Sequence, residues 1–348
     1  MNRWLTPLAT GFGGAVKLRE QAYSGGWMRA RRLKRPVISV GNLTVGGTGK
    51  TPIVVLVAEL LIKNGLRPSI LTRGYGRRSH ALMTIEPADR RQADPRQVGD
   101  EPALMAQKLP ETPILVSRER FCAGTIAEEM FGVNAHILDD GFQHWALARD
   151  LDIVLMDLTQ PLGNDALLPA GRLREPISAL RRAGALLLTR AELTDGLPAE
   201  RLARQMNPVA PIFHSTLKLA ALSEVATKRV LAPSALEGKP VFAFCGLGNP
   251  TSFFASLHHW GFKVAGQKTF RDHHIYSERG LMAVSRMAVE AKAEACVTTE
   301  KDAMNFPGGA AERSPLPIFC CAIRAEVREA ACFEGLLLRV ARGEESRA

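Results

Sequence analysis

Residues 40–52 read VGNLTVGGTGKTP, a run whose residue types suit a phosphate chain. Gly46, Gly47 and Gly49 have no Cβ. The backbone from Thr44 through Val45, Gly46, Gly47, Thr48 and Gly49 is therefore expected to curl and aim its N–H groups at phosphate oxygens. Apolar VISV precedes the run and a helical pattern follows it, so the helix N-terminus adds its partial positive charge. Lys50 is placed to reach β- and γ-phosphates, and Thr51 to offer its hydroxyl to Mg²⁺. The strict phosphate-loop pattern has Gly at position 44, where this chain carries Thr44. The expected ligand is a nucleoside triphosphate with its metal.

Carboxylates must follow, because Mg²⁺ takes oxygen ligands and an alcohol nucleophile benefits from a base. Asp139 and Asp140 end the apolar run AHIL and precede a Gly turn, at the carboxyl end of an expected strand, which is the ligand edge of an open α/β sheet. Asp157 competes for the metal, since IVLM before it is the more apolar strand. Asp100, in VGDEP, reads as a helix N-cap on its own. CGLGNP (245–250) resembles the start of a dinucleotide fingerprint, but it lacks the third Gly and an acidic ribose partner, and reads as a tight strand-to-helix turn.

These residues need a scaffold. Short apolar strands are expected at 36–40, 68–73, 113–117, 135–139, 151–157 and 184–190, with helices over 52–64, 101–108 and 119–131. The alternation predicts an α/β fold: a P-loop NTPase-like, mostly parallel sheet flanked by helices. Long loops over 74–99 and 159–182 are candidates for function. A smaller α/β domain is expected after 235: VFAFCGLGNPTSFFASL reads as strand, turn and helix, followed by a helix over 277–291 and strands near 294–302 and 316–323. The boundaries read as an arm over 1–35, a kinase-type domain over 36–215, a linker over 216–235 and the smaller domain over 236–340. The last residues, ARGEESRA, are expected to fray.

The composition, 46% hydrophobic and 23% charged, excludes a fibre or a disordered chain, and no apolar run is long enough to span a bilayer. No signal peptide is recognisable. Six cysteines include no C-x-x-C pair, which argues against zinc and fits a reducing compartment. The net charge is +10, and residues 1–35 alone hold eight Lys or Arg against one acid, Glu20. Such an arm seeks anions. On a helical wheel Trp4, Leu5, Leu8, Phe12, Ala15, Val16, Leu18 and Tyr23 share one sector, interrupted by Arg19. Next to WMRARRLKRP this reads either as an interfacial membrane anchor or as a helix packed on the protein's own core.

VGNLTVGGTGKTP, LTRGYGR, VGDEP, ILDDGFQH, LLPAGRLREP, FRDHHIYS and VTTEKDAMNF occur in this order over residues 40–306. Together they resemble the tetraacyldisaccharide 4'-kinase (lipid A 4'-kinase) family of Gram-negative bacteria, whose version of the phosphate loop accommodates Thr44. The resemblance implies an ATP- and Mg²⁺-dependent lipid kinase that phosphorylates the 4'-hydroxyl of an acylated glucosamine disaccharide 1-phosphate. It implies a peripheral enzyme on the cytoplasmic face of the inner membrane, meeting an anionic membrane surface, with no nucleic acid and no protein partner. Carried over by motif, Asp100 is the catalytic base, His273 supports it, Lys50 and Asp140 serve the transferring phosphoryl group, and Thr51 and Asp139 hold the metal. His274 competes with His273 for the inward position. Arg73, Tyr75, Arg77, Gln143, His144, Arg172 and Arg174 are the candidate substrate contacts, together with the glycines of RGYGR.

Two rivals come from other classes. A P-loop GTPase switch or partner-maturation factor is suggested by TRAE (189–192) and TEKD (299–302), imperfect versions of a guanine-reading motif. A nucleic-acid-stimulated ATPase is suggested by the basic arm alone, with no recognisable nucleic-acid module behind it.

Overall fold

The computed structural model describes residues 3–75, 77, 81–87, 93–160 and 166–344. Gly76 of RGYGR, parts of both long loops and the final 345–348 lie outside the described residues.

Apolar runs of four to seven residues form strands covered on both faces, as expected where helices flank a parallel sheet. The strands are β1 (Val37–Asn42), β2 (Pro68–Thr72), β3 (Met83–Ile85), β4 (Ile114–Val116), β5 (Ala135–Asp139), β6 (Leu151–Asp157), β7 (Ala185–Thr189), β8 (Ile212–Glu224), β9 (Val230–Leu231), β10 (Pro240–Cys245), β11 (Lys263–Thr269), β12 (Ala295–Thr299) and β13 (Ile318–Val327). All described residues of β1, β2, β4, β5 and β7 are buried. The helices are α1 (Thr6–Ser24), α2 (Lys50–Lys63), α3 (Pro95–Val98), α4 (Asp100–Lys108), α5 (Arg120–Phe131), α6 (Leu197–Met206), α7 (Pro250–His259), α8 (Glu278–Glu290), α9 (Glu300–Met304) and α10 (Ala330–Ala341).

The strands join in one sheet of order β11-β10-β12-β13-β8-β7-β6-β1-β5-β2-β4-β3, with β9 beside β8. From β4 to β8 the pairing is parallel, and from β13 to β11 it is parallel again. The two parallel blocks meet at one antiparallel seam between β8 and β13. Across that seam the second block meets the first: Gly248 and Asn249, just before α7, lie against Gly46, Gly47 and Asp157, and α9 packs on α4. Ile53, Val54, Val57, Ala58 and Leu61 of α2 fill the main core against Ile38, Val40 and Ile137, and Phe333 and Leu337 of α10 close its far side.

Several elements differ from the expected ones. The phosphate-loop helix begins at Lys50 rather than 52, so Lys50 and Thr51 are its first two residues. β8 is a thirteen-residue strand running well into the stretch read as a linker. β11 (KVAGQKT) has no apolar run because it is an edge strand with one face in solvent. Within α1, the apolar residues do not act as a single stripe. Ala9, Phe12, Val16 and Tyr23 turn inward, while Trp4 just before the helix and Leu8 and Leu18 within it face solvent at 93%, 62% and 68% exposure. Glu20 lies 3.7 Å from Arg182. Tyr23 stacks on Trp145 with ring centres 5.8 Å apart. Among the described residues no helix is long and apolar enough to cross a membrane.

Candidate active site

The loop from Leu43 to Gly49 is shaped by backbone freedom at two glycines and by one asparagine. Gly46 and Gly49 take φ of 110° and 82°, values that an L side chain resists. Asn42, at the end of β1, donates to the carbonyl of Thr44 at 2.8 Å and to the Thr48 hydroxyl at 2.9 Å. Thr44 is not among the left-handed residues and pairs in a short bridge with Leu173, so position 44 makes no demand for glycine here. Arg172 fastens the outer side of the loop, donating to the Val45 carbonyl at 2.8 and 3.0 Å and to the Gly248 carbonyl at 3.1 Å. Arg190 does the same from the residue after β7, donating to the Gly47 carbonyl at 2.9 Å while paired with Asp157.

Asp139 and Asp140 leave the end of β5 side by side but in different surroundings. Asp139 is buried and accepts from the Thr72 hydroxyl at 2.8 Å. Burial, with Glu101 and Asp140 adding negative charge, lifts its pKa well above the usual carboxylate range. Burial also pushes Asp140 up, but Lys50 and Arg174 outweigh it and hold that carboxyl below its ordinary value. Arg174 lies 2.7 Å from Asp140 and Lys50 3.4 Å from it. Asp140 adopts φ of 52°. Asp157 is committed elsewhere: Arg190, the Asn249 amide at 2.9 Å and the Thr159 hydroxyl at 2.7 Å all occupy it.

Asp100 opens α4. Gly99 is the N-cap, with φ 100° and ψ 153°, and a Cβ there would meet the Tyr75 carbonyl at 3.2 Å. Asp100 is thus the first helical residue, 5% exposed, and its Oδ1 accepts from the Glu101 N–H at 2.9 Å. His273 Nδ1 lies 2.8 Å from Asp100 Oδ2 and 3.1 Å from Oδ1. His273 also has a left-handed backbone, φ 56°. Asp140, Arg190 and His273 are three of five such non-glycine residues among the described residues, and backbone strain of this kind gathers at functional sites. Burial raises the pKa of Asp100, but the His273 hydrogen bond and the Lys301 charge more than offset it, leaving it lowered. Burial lowers His273, and Asp100 reverses that to a net rise. His274 faces away, stacked on Phe270 with centres 4.6 Å apart and edge-on to Tyr276.

A cleft of about 1200 Å³ connects these groups. It exceeds the volume one small ligand fills, so it has room for a nucleotide and a second substrate. Val45 to Thr51 of the phosphate loop line it, as do Asp139, Asp140, Arg73, Tyr75, Gln143, His144, Arg174 and His273. Asp100 lies immediately behind His273. Arg77 is also set back, donating to the carbonyls of Ala81 and Val116, and Arg172 binds the rim as described. Phe12, Val16 and Arg19 of α1 form one end of the cleft, so the arginine that breaks the apolar sector faces the cavity. His144 is driven down to about 4 by burial and by Arg120 and Arg149, and is neutral at pH 7.

A family model described as tetraacyldisaccharide-1-P 4'-kinase matches residues 1–342. The chain belongs to the tetraacyldisaccharide 4'-kinase family. It is 37% identical over 332 residues to a tetraacyldisaccharide 4'-kinase of Koribacter versatilis, covering 94% of this chain and 95% of that one. It is 39% identical to that of Geobacter metallireducens, over 87% and 88% of the two chains. The solved LpxK of Aquifex aeolicus, in complex with ATP, superposes with a TM-score of 0.76 at 32% identity, covering 97% of this chain and 98% of that one.

As a tetraacyldisaccharide 4'-kinase the chain is an ATP-dependent lipid kinase of lipid A biosynthesis, acting on a lipid substrate, and the switch-GTPase alternative falls away. The donor set fits Mg²⁺. Among the described residues no group of three or more His, Cys, Asp or Glu is arranged to hold a metal. Mg²⁺ needs only one or two carboxylates when substrate phosphates supply further oxygens. Thr51, at the start of α2, and buried Asp139, both lining the cleft, are of the right type. Residues of this 4'-kinase site that sequence reasoning did not assign are Arg190, Asn249, Arg120, Lys301 and Asn305. TRAE and VTTEKDAMNF were visible as motifs. Arg120 gave no signal: it is buried at the start of α5, and its proximity to Asp139 and Asp140 arises only in the fold.

Proposed function

We propose that this chain transfers the γ-phosphoryl group of ATP to the 4'-hydroxyl of a tetraacyl disaccharide 1-phosphate inside the cleft, with the Asp100–His273 pair taking the hydroxyl proton. The observation that carries the reading is the 2.8 Å contact between Asp100 and His273, which lines the same cleft as the phosphate loop. In this reading the N–H groups from Thr44 to Gly49 and the ammonium of Lys50 hold the β- and γ-phosphates. Thr51 and Asp139 bind Mg²⁺, which supplies charge neutralisation when present. Asp140 keeps Lys50 and Arg174 aimed at the cleft. Phosphoryl transfer needs this positioning and neutralisation more than covalent chemistry.

Arg73, Tyr75, Gln143, His144 and Arg174 face the sugar and its phosphate. Arg172 and Arg77 act one layer back, on the loop backbones. The first block of the sheet, 36–215, holds the nucleotide. The smaller unit, 236–340, brings His273 to Asp100, and 216–235 joins them.

The enzyme meets its lipid from the cytoplasmic face of the inner membrane. Trp4, Leu8, Leu18 and Trp27 face solvent beside the basic run from Arg29 to Arg35, a pairing suited to anionic head groups. The inner face of the same helix, Phe12, Val16 and Arg19, opens into the cleft, so a lipid held at the surface has a direct route to the phosphate loop.

The decisive variant is Asp100→Ala, assayed for both turnover and ATP binding. Lost turnover with ATP affinity within about threefold of wild type supports a base. Parallel loss of both would make Asp100 a structural residue.

A further inference from the structure

The Asp100–His273 pair is enclosed by a third element. α9 and the turn after it, sequence TEKDAMN (299–305), send four side chains to α4: Glu300 to Lys108 at 2.8 Å, Lys301 to Glu101 at 3.4 Å, the Met304 sulfur to the Gln107 amide at 3.5 Å, and Asn305 to Asp100. Lys301 also lies 3.2 Å from Asp272 Oδ1 and 3.4 Å from His273 Nε2. The Asn305 amide donates to Asp100 Oδ2 at 3.2 Å. Asp302, between them, is fixed by the Gly246 N–H at 2.8 Å and the Tyr276 hydroxyl at 2.9 Å, so the short helix is anchored in its own block.

We infer that Lys301 and Asn305 are positioning residues that hold the proposed base in one arrangement, in which the neutral form of His273 carries its proton on Nδ1 facing Asp100. Donors and acceptors around the ring fix the tautomer. An ammonium has three donors and no lone pair, so the imidazole nitrogen nearest it must accept. The other nitrogen, Nδ1, then carries the proton, and it meets a carboxylate. Asp100 Oδ2 takes this N–H and the Asn305 amide, which fixes the plane of the carboxyl group.

The charged and polar groups facing the ring are Asp100 from α4, Asp272 from its own loop, Lys301 from α9 and the Tyr75 ring 5.0 Å away. The two acids favour imidazolium. Lys301 opposes them, because a doubly protonated ring would set an N–H against its ammonium. Since α9 belongs to the smaller unit and Asp100 to the nucleotide-binding one, the base is correctly arranged only when the two units are docked.

The inference rests on the assignment of Asp100 as base, but its test does not. In full-length protein with ¹⁵N-labelled histidine, long-range imidazole spectra at pH 8 report which nitrogen of His273 is protonated, with His273→Gln giving the assignment. The expected result is a proton on Nδ1 and none on Nε2. A ring protonated on Nε2 alone overturns the inference whatever Asp100 does.

In Lys301→Met the imidazolium should persist to higher pH, and Lys301→Arg should restore the wild-type titration. Lys301→Met and Asn305→Ala should each lower kcat by on the order of 10²-fold, with KM for ATP little changed and the acid limb of the kcat profile moved upward. Unmoved profiles in both variants would also overturn the inference. Full turnover in Asp100→Ala would instead strike the underlying assignment while leaving the tautomer result standing.

Discussion

The ammonium of Lys50 lies 3.4 Å from Asp140 Oδ1, so the lysine of the phosphate loop is tethered to an acid on the adjacent strand. Asp140 in turn holds Arg174 at 2.7 Å, which places two cations at the same carboxylate. Replacing Lys50 by Met should lower turnover by about 10²–10³-fold, the usual effect of removing one charge-stabilising donor. Lys50→Arg should restore little of it, since a planar fork does not fill the place of a compact ammonium. Steady-state kinetics on both variants check this.

Asp140→Asn should act through the same pair. With the tether neutralised, Lys50 and Arg174 lose their common anchor, and kcat should fall by about tenfold or more while the protein keeps its fold. Thermal melting beside the kinetic assay separates the two effects.

The contribution of the Asp100–His273 pair to stability has a defined pH window. Asp100 is depressed below its ordinary 3.8, so its contribution is present above that value and is lost as pH falls through the folded pKa. His273 is raised above its ordinary 6.5, so its contribution is complete below that value and is lost as pH rises through the folded pKa. The melting-temperature gap between wild type and His273→Gln should therefore be widest between those two values and should narrow on either side. A gap independent of pH would exclude an ion-paired arrangement.

Asp139→Asn should raise the Mg²⁺ concentration needed for half-maximal turnover by on the order of tenfold or more, because it removes the cleft-lining carboxylate proposed to bind Mg²⁺. Asp157→Asn should leave the Mg²⁺ dependence unchanged, since Asp157 is taken up by Arg190, Asn249 and Thr159. A Mg²⁺ titration of the two variants distinguishes the acids.

Trp4→Glu combined with Leu8→Glu and Leu18→Glu should weaken association with anionic vesicles, leaving turnover of a detergent-dispersed substrate largely intact. Salt should weaken wild-type binding in the same assay, as expected when Lys and Arg meet head groups. Sedimentation with vesicles of defined composition reads both effects.

Much of the nucleotide end of the site was legible because it is local. Lys50, Thr51 and the glycines before them lie in one unbroken stretch, and Asp139 ends a strand whose apolar run announces it. The other half depends on distant residues meeting. Asp100 and His273 are 173 positions apart, and without the motif resemblance VGDEP reads as a cap. Their meeting depends on the antiparallel seam between β8 and β13, which no local periodicity reports. α1 shows a different limit: its apolar residues were visible, but their division into an inward row and an exposed row is set by what the helix packs on. Arg120 shows a third, since a buried arginine beside two aspartates looks like any surface charge in the sequence SRERF.

The most direct measurement is the fate of the γ-phosphoryl group. Wild-type protein and Asp100→Ala are incubated with [γ-³²P]ATP, Mg²⁺ and tetraacyl disaccharide 1-phosphate in mixed micelles, and the labelled product is mapped by position. The predicted result is label at the 4' position with wild type and none above background with Asp100→Ala. Label released only as inorganic phosphate, or equal lipid labelling by both proteins, would contradict it.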